Sequence, residues 1–279
     1  MNTININIFQ KEVDTGHASQ ISESASEKLF NSIIKIEIDN KIGTGFFMKT
    51  NIYEKEYKFI CTNFHIINQN DVNLKKKFNF FYGKKGSETK KSIRLDENER
   101  FIKCFDEEKE DITLIEIIKG DKIPENKYLL PDLNYKNGFN LYLKENFYLA
   151  GYPKVDKFVG DRHITSGKII QIKDFEFYHN LDTRAGSSGS PICLLHNQCV
   201  IGIHRGGNAF NKINKGTFIG AILDDITFEI GRKIPGKKYK IISDRIKNLE
   251  KSFEEQWKNL SQYDRQQIEE ILGNELNEF

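Results

Sequence analysis

Asp182-Thr183-Arg184-Ala185-Gly186-Ser187-Ser188-Gly189-Ser190-Pro191 is the stretch on which the fold of this chain is decided. A serine set between small residues on a tight turn exposes its hydroxyl, and the glycines let a substrate carbonyl approach the backbone amides closely. A serine hydroxyl is a poor nucleophile until a neighbouring base takes its proton, so Ser188 requires a histidine and a group to orient that histidine. Working outward, His65 lies in Phe59-Ile60-Cys61-Thr62-Asn63-Phe64-His65-Ile66-Ile67, where a β-rich run ends in a polar pair and a histidine. Asp111 opens Asp111-Ile112-Thr113-Leu114-Ile115-Glu116-Ile117, a strand pattern that begins on a carboxylate. Asp106, Glu107, Glu108 and Glu110 precede the same strand and stay open as alternatives for the orienting acid. Asp111 is preferred because it alone abuts the apolar strand, where a carboxylate can be buried against an imidazole; the others read as a solvated loop.

The order His65, Asp111, Ser188, with Gly43-Thr44-Gly45-Phe46-Phe47 upstream of the histidine and Gly151-Tyr152-Pro153 opening the second half, resembles the chymotrypsin-like (trypsin-like) serine peptidases. Within them the chain is most similar to the bacterial glutamyl endopeptidase branch. Ser188-Gly189-Ser190-Pro191 is followed there, as here, by a segment of the type Val200-Ile201-Gly202-Ile203-His204-Arg205-Gly206-Gly207. The resemblance covers roughly residues 31–232. It implies a mainly β fold of two antiparallel six-stranded barrels with the site between them, and His65, Asp111 and Ser188 as a catalytic triad. It also implies an oxyanion hole from the backbone amides of Gly186 and Ser188. Thr183 and His204 fall where the glutamyl branch lines its pocket for an acidic side chain, which suggests Glu or Gln at the cleaved bond. The hairpin before His204 reads one residue longer than in that branch, and Arg184 and Arg205 can alter the pocket. Arg205, Gly206 and Gly207 would pair with the substrate backbone as an added strand.

One departure concerns activation. Secreted trypsin-like zymogens carry an aspartate just before the nucleophile, whereas Ser187 stands here, and no basic residue followed by Ile-Val-Gly-Gly lies upstream. Control through a buried pair with a new N-terminus is therefore not expected. Two other classes compete with a peptidase. A degenerate fold would bind peptides without cleaving them and would work through its tail. An esterase of the α/β-hydrolase type is disfavoured because its nucleophile precedes the acid.

Composition agrees with a globular chain. The 279 residues are 38% apolar and 12% aromatic, enough for a sizeable core. A net charge of +2 from 42 basic and 40 acidic residues gives no field pointing to nucleic acid or an anionic membrane. Lysine runs such as Lys75-Lys76-Lys77 and Lys84-Lys85 lack interleaved stacking aromatics and read as solvated loops. The first twenty residues show no basic segment followed by an apolar stretch, and no later run suits a bilayer, so a cytoplasmic location is expected. Cys61, Cys104, Cys193 and Cys199 are too scattered for a disulfide scaffold and are read as reduced thiols, although Cys193 and Cys199 flank a hairpin turn at His196-Asn197. No metal-ligand spacing appears, and no cofactor is expected.

The chain divides into an extension (1–30), a first barrel (31–127), a linker (128–146), a second barrel with a closing helix (147–232) and a helical tail (233–279). A short helix is expected from Ser22 to Asn31, and the segment Gly83 to Arg100 reads as a charged loop interrupting the first barrel. In the tail, Ile246, Leu249, Phe253, Trp257 and Leu260 form one amphipathic stripe, and Ser261 with Asp264 resembles a capping box for a second helix. That tail either packs back on the barrels or offers a surface for a regulator or self-association through residues 242–279. The partner expected at the site itself is a protein or peptide substrate.

Overall fold

Alternation of apolar and polar residues decides the first strands. In the computed structural model, which describes residues 23–84, 86–106, 108–155, 158–159, 162–208, 213–232 and 258, Ile33-Ile34-Lys35-Ile36-Glu37-Ile38 forms a strand whose isoleucines are buried. The helix α1 (Glu23–Ser32) precedes it. The first half then contains β1 (Ile33–Ile38), β2 (Lys41–Ile52), β3 (Lys55–Thr62), α2 (Gln69–Asn73), β4 (Lys77–Tyr82), β5 (Thr89–Arg94), β6 (Ile102–Phe105) and β7 (Ile112–Glu116). The second contains β8 (Asn146–Gly151), β9 (Lys154–Val155), β10 (Phe158–Val159), β11 (His163–Lys173), β12 (Glu176–His179), β13 (Pro191–Leu194), β14 (Val200–Asn208), β15 (Ile213–Phe218) and α3 (Gly220–Arg232).

The second half is the expected six-stranded barrel, closed in the order β11-β12-β15-β14-β13-β8. The first is a curled sheet of seven strands, β5-β4-β1-β2-β3-β7-β6, rather than six, with no hydrogen-bonded seam between its outer strands β5 and β6. The segment Gly83 to Arg100 is not a loop throughout, since it contains β5. Its strand was masked by composition: only Ile93 of Thr89-Lys90-Lys91-Ser92-Ile93-Arg94 is buried, and the lysines belong to an edge. The lysine run is likewise not merely solvated. Lys75 pairs with Asp96 at 2.9 Å, Lys76 bridges Asp39 and Asp71 at 2.7 Å each, and Lys77 begins β4.

Each half has its own core. Ile34, Ile36, Phe47, Ile60, Phe78 and Phe80 fill the first, and Phe147, Leu149, Ile169, Phe177, Ile192 and Phe218 the second. The connection between them is not a bare linker: it forms 3-10 turns at Leu133–Asn137 and Phe139–Lys144, and the second of these inserts Tyr142 into the second core. The Tyr142 hydroxyl donates to buried Asp132 at 2.7 Å, which satisfies the one polar atom that so deep a tyrosine carries.

The four cysteines are free, and burial pushes the Cys61 and Cys193 thiols well up. Among the described residues no three His, Cys, Asp or Glu side chains could hold a metal, and no helix is long and apolar enough to cross a membrane. The chain divides into two compact units, residues 1–226 and 227–279, and every residue of the candidate site belongs to the first. The extension before Glu23 and the two tail helices expected beyond residue 242 lie outside the described residues, apart from Lys258.

Candidate active site

Three strand boundaries supply the site. His65 sits on the turn after β3, Asp111 immediately before β7, and Ser188 on the turn before β13. Asp111 has φ +53°, the left-handed region that aspartate tolerates better than most side chains. Its backbone is locked there. Its N–H donates to the Asp106 carbonyl at 2.8 Å, and its own carbonyl accepts from the Phe64 N–H at 3.2 Å and the Asn63 amide at 2.9 Å. These bonds tie the acid to the turn that carries the histidine.

The buried Asp111 carboxylate then grips His65 twice. Oδ1 accepts the His65 backbone N–H at 3.0 Å, and Oδ2 lies 2.9 Å from ring Nδ1. An ionised carboxylate only accepts, so this contact assigns the ring proton to Nδ1 and leaves Nε2 as a base. Asp106, one of the alternative acids, is occupied otherwise: its Oδ1 accepts the N–H groups of Glu108 and Lys109 and closes its own turn.

Ser188 stands on a turn built from two glycines with positive φ, Gly186 at +91° and Gly189 at +87°. Gly189 must be glycine for a second reason, because a Cβ there would lie 1.9 Å from the Thr44 carbonyl oxygen. The Gly186 and Ser188 N–H groups have no protein acceptor among the described residues, so two donors remain available on this turn. The Ser188 hydroxyl is not hydrogen-bonded to the imidazole in this structure. It donates instead to the Arg205 carbonyl at 3.1 Å.

Arg205 brings the parts together. The pairing of β14 with β15 shifts register between His204 and Gly206, so Arg205 is the bulged residue, and a bulge re-aims a side chain. Its carbonyl holds Ser188, while its Nε lies 3.6 Å from Asp111 Oδ2. Its Nη1 donates to the Lys109 carbonyl at 2.7 Å and to Glu176 at 2.6 Å. Thr217 adds a 2.7 Å bond from its hydroxyl to the Glu110 carbonyl. The loop before Asp111 is thus pinned to the second barrel at two points. Glu176 also binds Lys215, and neither it, Lys215 nor Thr217 carries a sequence signal, since each acts only through a contact between distant strands.

A cleft of about 600 Å³ runs along this edge, lined among others by His65, Asp111, Tyr178, Arg205, Gly206 and Gly207. The sequence profile of the trypsin-like peptidase domain matches residues 43–203, more than half of the chain. This chain belongs to the trypsin-like peptidase family. Among curated relatives, glutamyl endopeptidase of Staphylococcus aureus strain MRSA252 is 32% identical over 122 residues, 40% of this chain and 34% of that protein. The match therefore spans about a third of that relative's length. Two crystal structures share the fold. Rv3671c from M. tuberculosis H37Rv, in an inactive form, has a TM-score of 0.51 at 16% identity, covering 77% of this chain and 94% of that one. A serine endoprotease from Yersinia pestis also has a TM-score of 0.51, at 12% identity, covering 74% of this chain and 65% of its own.

Thr183 and His204 are arranged for hydrogen bonding rather than for charge. His204 is buried on β14, and burial followed by the nearby His65 pushes it down to about 3, so its ring is neutral. Its Nδ1 meets Nε2 of buried His179 at 3.2 Å. The Thr183 hydroxyl donates to Asn214 Oδ1 at 2.8 Å, and Asn214 in turn donates to the Leu181 carbonyl at 2.7 Å.

Proposed function

We propose that this trypsin-like peptidase family member is a serine endopeptidase that cleaves a peptide laid along Arg205–Gly207. The observation that carries the reading is the double hold of buried Asp111 on His65, with Nε2 left as base. In this mechanism the Ser188 hydroxyl leaves the Arg205 carbonyl by rotating about χ1 and donates to His65 Nε2. As Oγ attacks the peptide carbonyl, His65 takes its proton, and Asp111 stabilises the imidazolium. The Gly186 and Ser188 N–H groups receive the oxyanion, and a single such donor is worth about 3 to 4 kcal/mol in the transition state. His65 then protonates the leaving amine, and water hydrolyses the acyl-enzyme by the same route. The Arg205 carbonyl released by Ser188 becomes an acceptor for a substrate N–H, which fits strand addition at this edge.

The test is labelling of the purified full chain with a fluorophosphonate, read by mass spectrometry beside Ser188→Ala and His65→Ala. Modification at Ser188 that disappears in the His65 variant is expected. Folded wild-type protein that takes no label would favour the second reading, a latent or binding-only fold, for which the Ser188 bond to Arg205 is the supporting observation.

For specificity we infer Glu or Gln at the cleaved bond, resting on Thr183 and His204 and on the glutamyl endopeptidase relative. A neutral imidazole carries no full positive charge, and the Thr183 hydroxyl, its proton given to Asn214, offers a substrate only an acceptor, so discrimination between Glu and Gln should be modest, within about tenfold in kcat/KM for one hydrogen-bond difference. Cleavage profiling on a peptide library checks this. A profile dominated by Arg, Lys or Phe would remove both residues from the pocket.

A further inference from the structure

A turn with two positive-φ glycines has little of its own to hold it in one shape, yet an oxyanion pocket requires its donors to be fixed before the reaction. Inside the turn, Ser187 N–H donates to the Arg184 carbonyl at 2.9 Å, Ser190 N–H donates to the Ser187 carbonyl at 3.0 Å, and Gly189 N–H reaches out to the His204 carbonyl at 3.0 Å. From the first half of the molecule, Thr44 hydrogen-bonds to the same turn twice. Thr44, on β2, donates its hydroxyl to the Gly186 carbonyl at 2.8 Å and its backbone N–H to the Ser188 carbonyl at 2.8 Å. The two residues whose carbonyls it holds are the two whose N–H groups are available.

The hydroxyl itself cannot rotate. Thr44 Oγ1 also accepts the Tyr152 N–H at 3.0 Å, so its proton and one of its two lone pairs are committed, and the residue is fully buried. The Thr44 carbonyl accepts the Thr62 hydroxyl at 2.8 Å, which fixes the strand from its other side. Neighbouring positions leave room for no slack: a Cβ at Gly43 would meet the Ile66 side chain at 2.1 Å, and one at Gly151 the Ser190 hydroxyl at 2.0 Å. Thr44 thus joins β2, the nucleophile turn and the start of the segment after β8 in one hydrogen-bonded knot.

We propose that the Thr44 hydroxyl is a positioning group for the oxyanion pocket, holding the Gly186 carbonyl and with it the Gly186–Ser187 peptide that links the two peptides carrying the Gly186 and Ser188 N–H groups. The proposal rests on the peptidase reading above. Gly186 has no side chain to restrict its backbone, and the Gly186–Ser187 peptide is held at its carbonyl by Thr44 and at its N–H by the Arg184 carbonyl. Without the bond from Thr44 this peptide keeps only its Ser187 anchor and can tilt, and the flanking donors lose their aim while the triad stays intact. The consequence falls on the transition state, where the oxyanion forms, and spares the ground-state peptide, which is bound along Arg205–Gly207.

Thr44→Val keeps the shape and removes the hydroxyl; Thr44→Ser keeps the hydroxyl. Steady-state cleavage of a peptide taken from the wild-type profile, fluorophosphonate labelling rates and thermal unfolding are measured on all three. Thr44→Val is expected to lower kcat by 10- to 100-fold with KM within threefold of wild type, and to slow labelling by a similar factor. Thr44→Ser should restore both to within about threefold. Should Thr44→Val fail to fold, Thr44→Ala takes its place with the same expectation, and Thr44→Ser remains decisive. A valine or alanine variant with wild-type kcat, a change confined to KM, or a serine variant as slow as the others overturns the role of the hydroxyl while leaving the peptidase reading in place. Wild-type protein that neither labels nor cleaves overturns both.

Discussion

Ser188→Ala is expected to lower kcat/KM by roughly six orders of magnitude, the scale on which serine peptidases respond to loss of the nucleophile. The size follows from the way the three groups act as a unit. His65 is a useful base only toward a hydroxyl it can reach, and Asp111 is useful only through His65, whose Nδ1 it holds at 2.9 Å. Removing Oγ therefore makes the other two idle, and the double variant His65→Ala/Ser188→Ala should be no slower than Ser188→Ala alone. What survives is the contribution of the Gly186 and Ser188 N–H groups and of substrate alignment, roughly three to four orders of magnitude over water. The substitution is mild for the fold. It deletes a single hydrogen bond to the Arg205 carbonyl, at a partly buried site that water can reach, a loss of about 1 kcal/mol. Peptide cleavage and chemical denaturation on the same preparation separate the two effects. A folded Ser188→Ala variant that keeps more than about a hundredth of the wild-type rate would remove Ser188 from the chemistry.

Most of the candidate site is legible in the sequence because each of its residues interrupts a strand pattern. An imidazole after Phe59-Ile60-Cys61-Thr62, a carboxylate before Ile112-Thr113-Leu114-Ile115 and a serine before Pro191-Ile192-Cys193-Leu194 are polar groups at strand ends, and strand ends are where a β fold exposes functional side chains. The sequence did not reveal what holds them. The bond from Thr44 to Gly186 joins residues 142 positions apart, and that from Arg205 to the Lys109 carbonyl joins residues 96 apart. No local pattern marks either partner. The bulge that aims Arg205 at Asp111 depends on a register shift against β15, which periodicity along β14 alone cannot show. The lysine-rich β5 was invisible for the opposite reason: an edge strand with one buried residue has the composition of a loop. Tyr142 was hidden because a connection between barrels was not expected to contribute to a core.

The second large effect is on stability, and it comes from two histidines. His179 and His204 are 0% and 2% exposed, with ring centroids 5.2 Å apart. Burial holds His179 well below the ordinary histidine range, reinforced by His204, and burial with the nearby His65 brings His204 to about 3. In the unfolded chain both titrate near 6.5. Below that value the unfolded state binds protons that the native state refuses, so stability must fall as the pH drops, down to the folded-state value of about 3 for His204. For His204 the linkage relation gives a loss of about 2 kcal/mol between pH 7.5 and pH 5, and His179 adds to it in the same direction, against the 5 to 15 kcal/mol typical of a domain. Asp71 and Asp96 do not compete in this window. Asp71, whose burial is outweighed by its bonds with Lys76, Asn68 and Lys41, and Asp96, paired with Lys75, are both held below 3.8 and lose their stabilising effect only under more acidic conditions. Guanidinium unfolding midpoints at pH 7.5, 6.5, 5.5 and 5.0 should therefore decline steadily, and His179→Gln should make the decline shallower. A flat profile above pH 5 would mean that the pair is hydrated and chargeable in the native state. The strand carrying His204 and Arg205 would then be looser than the close contacts around Asp111 and Ser188 require.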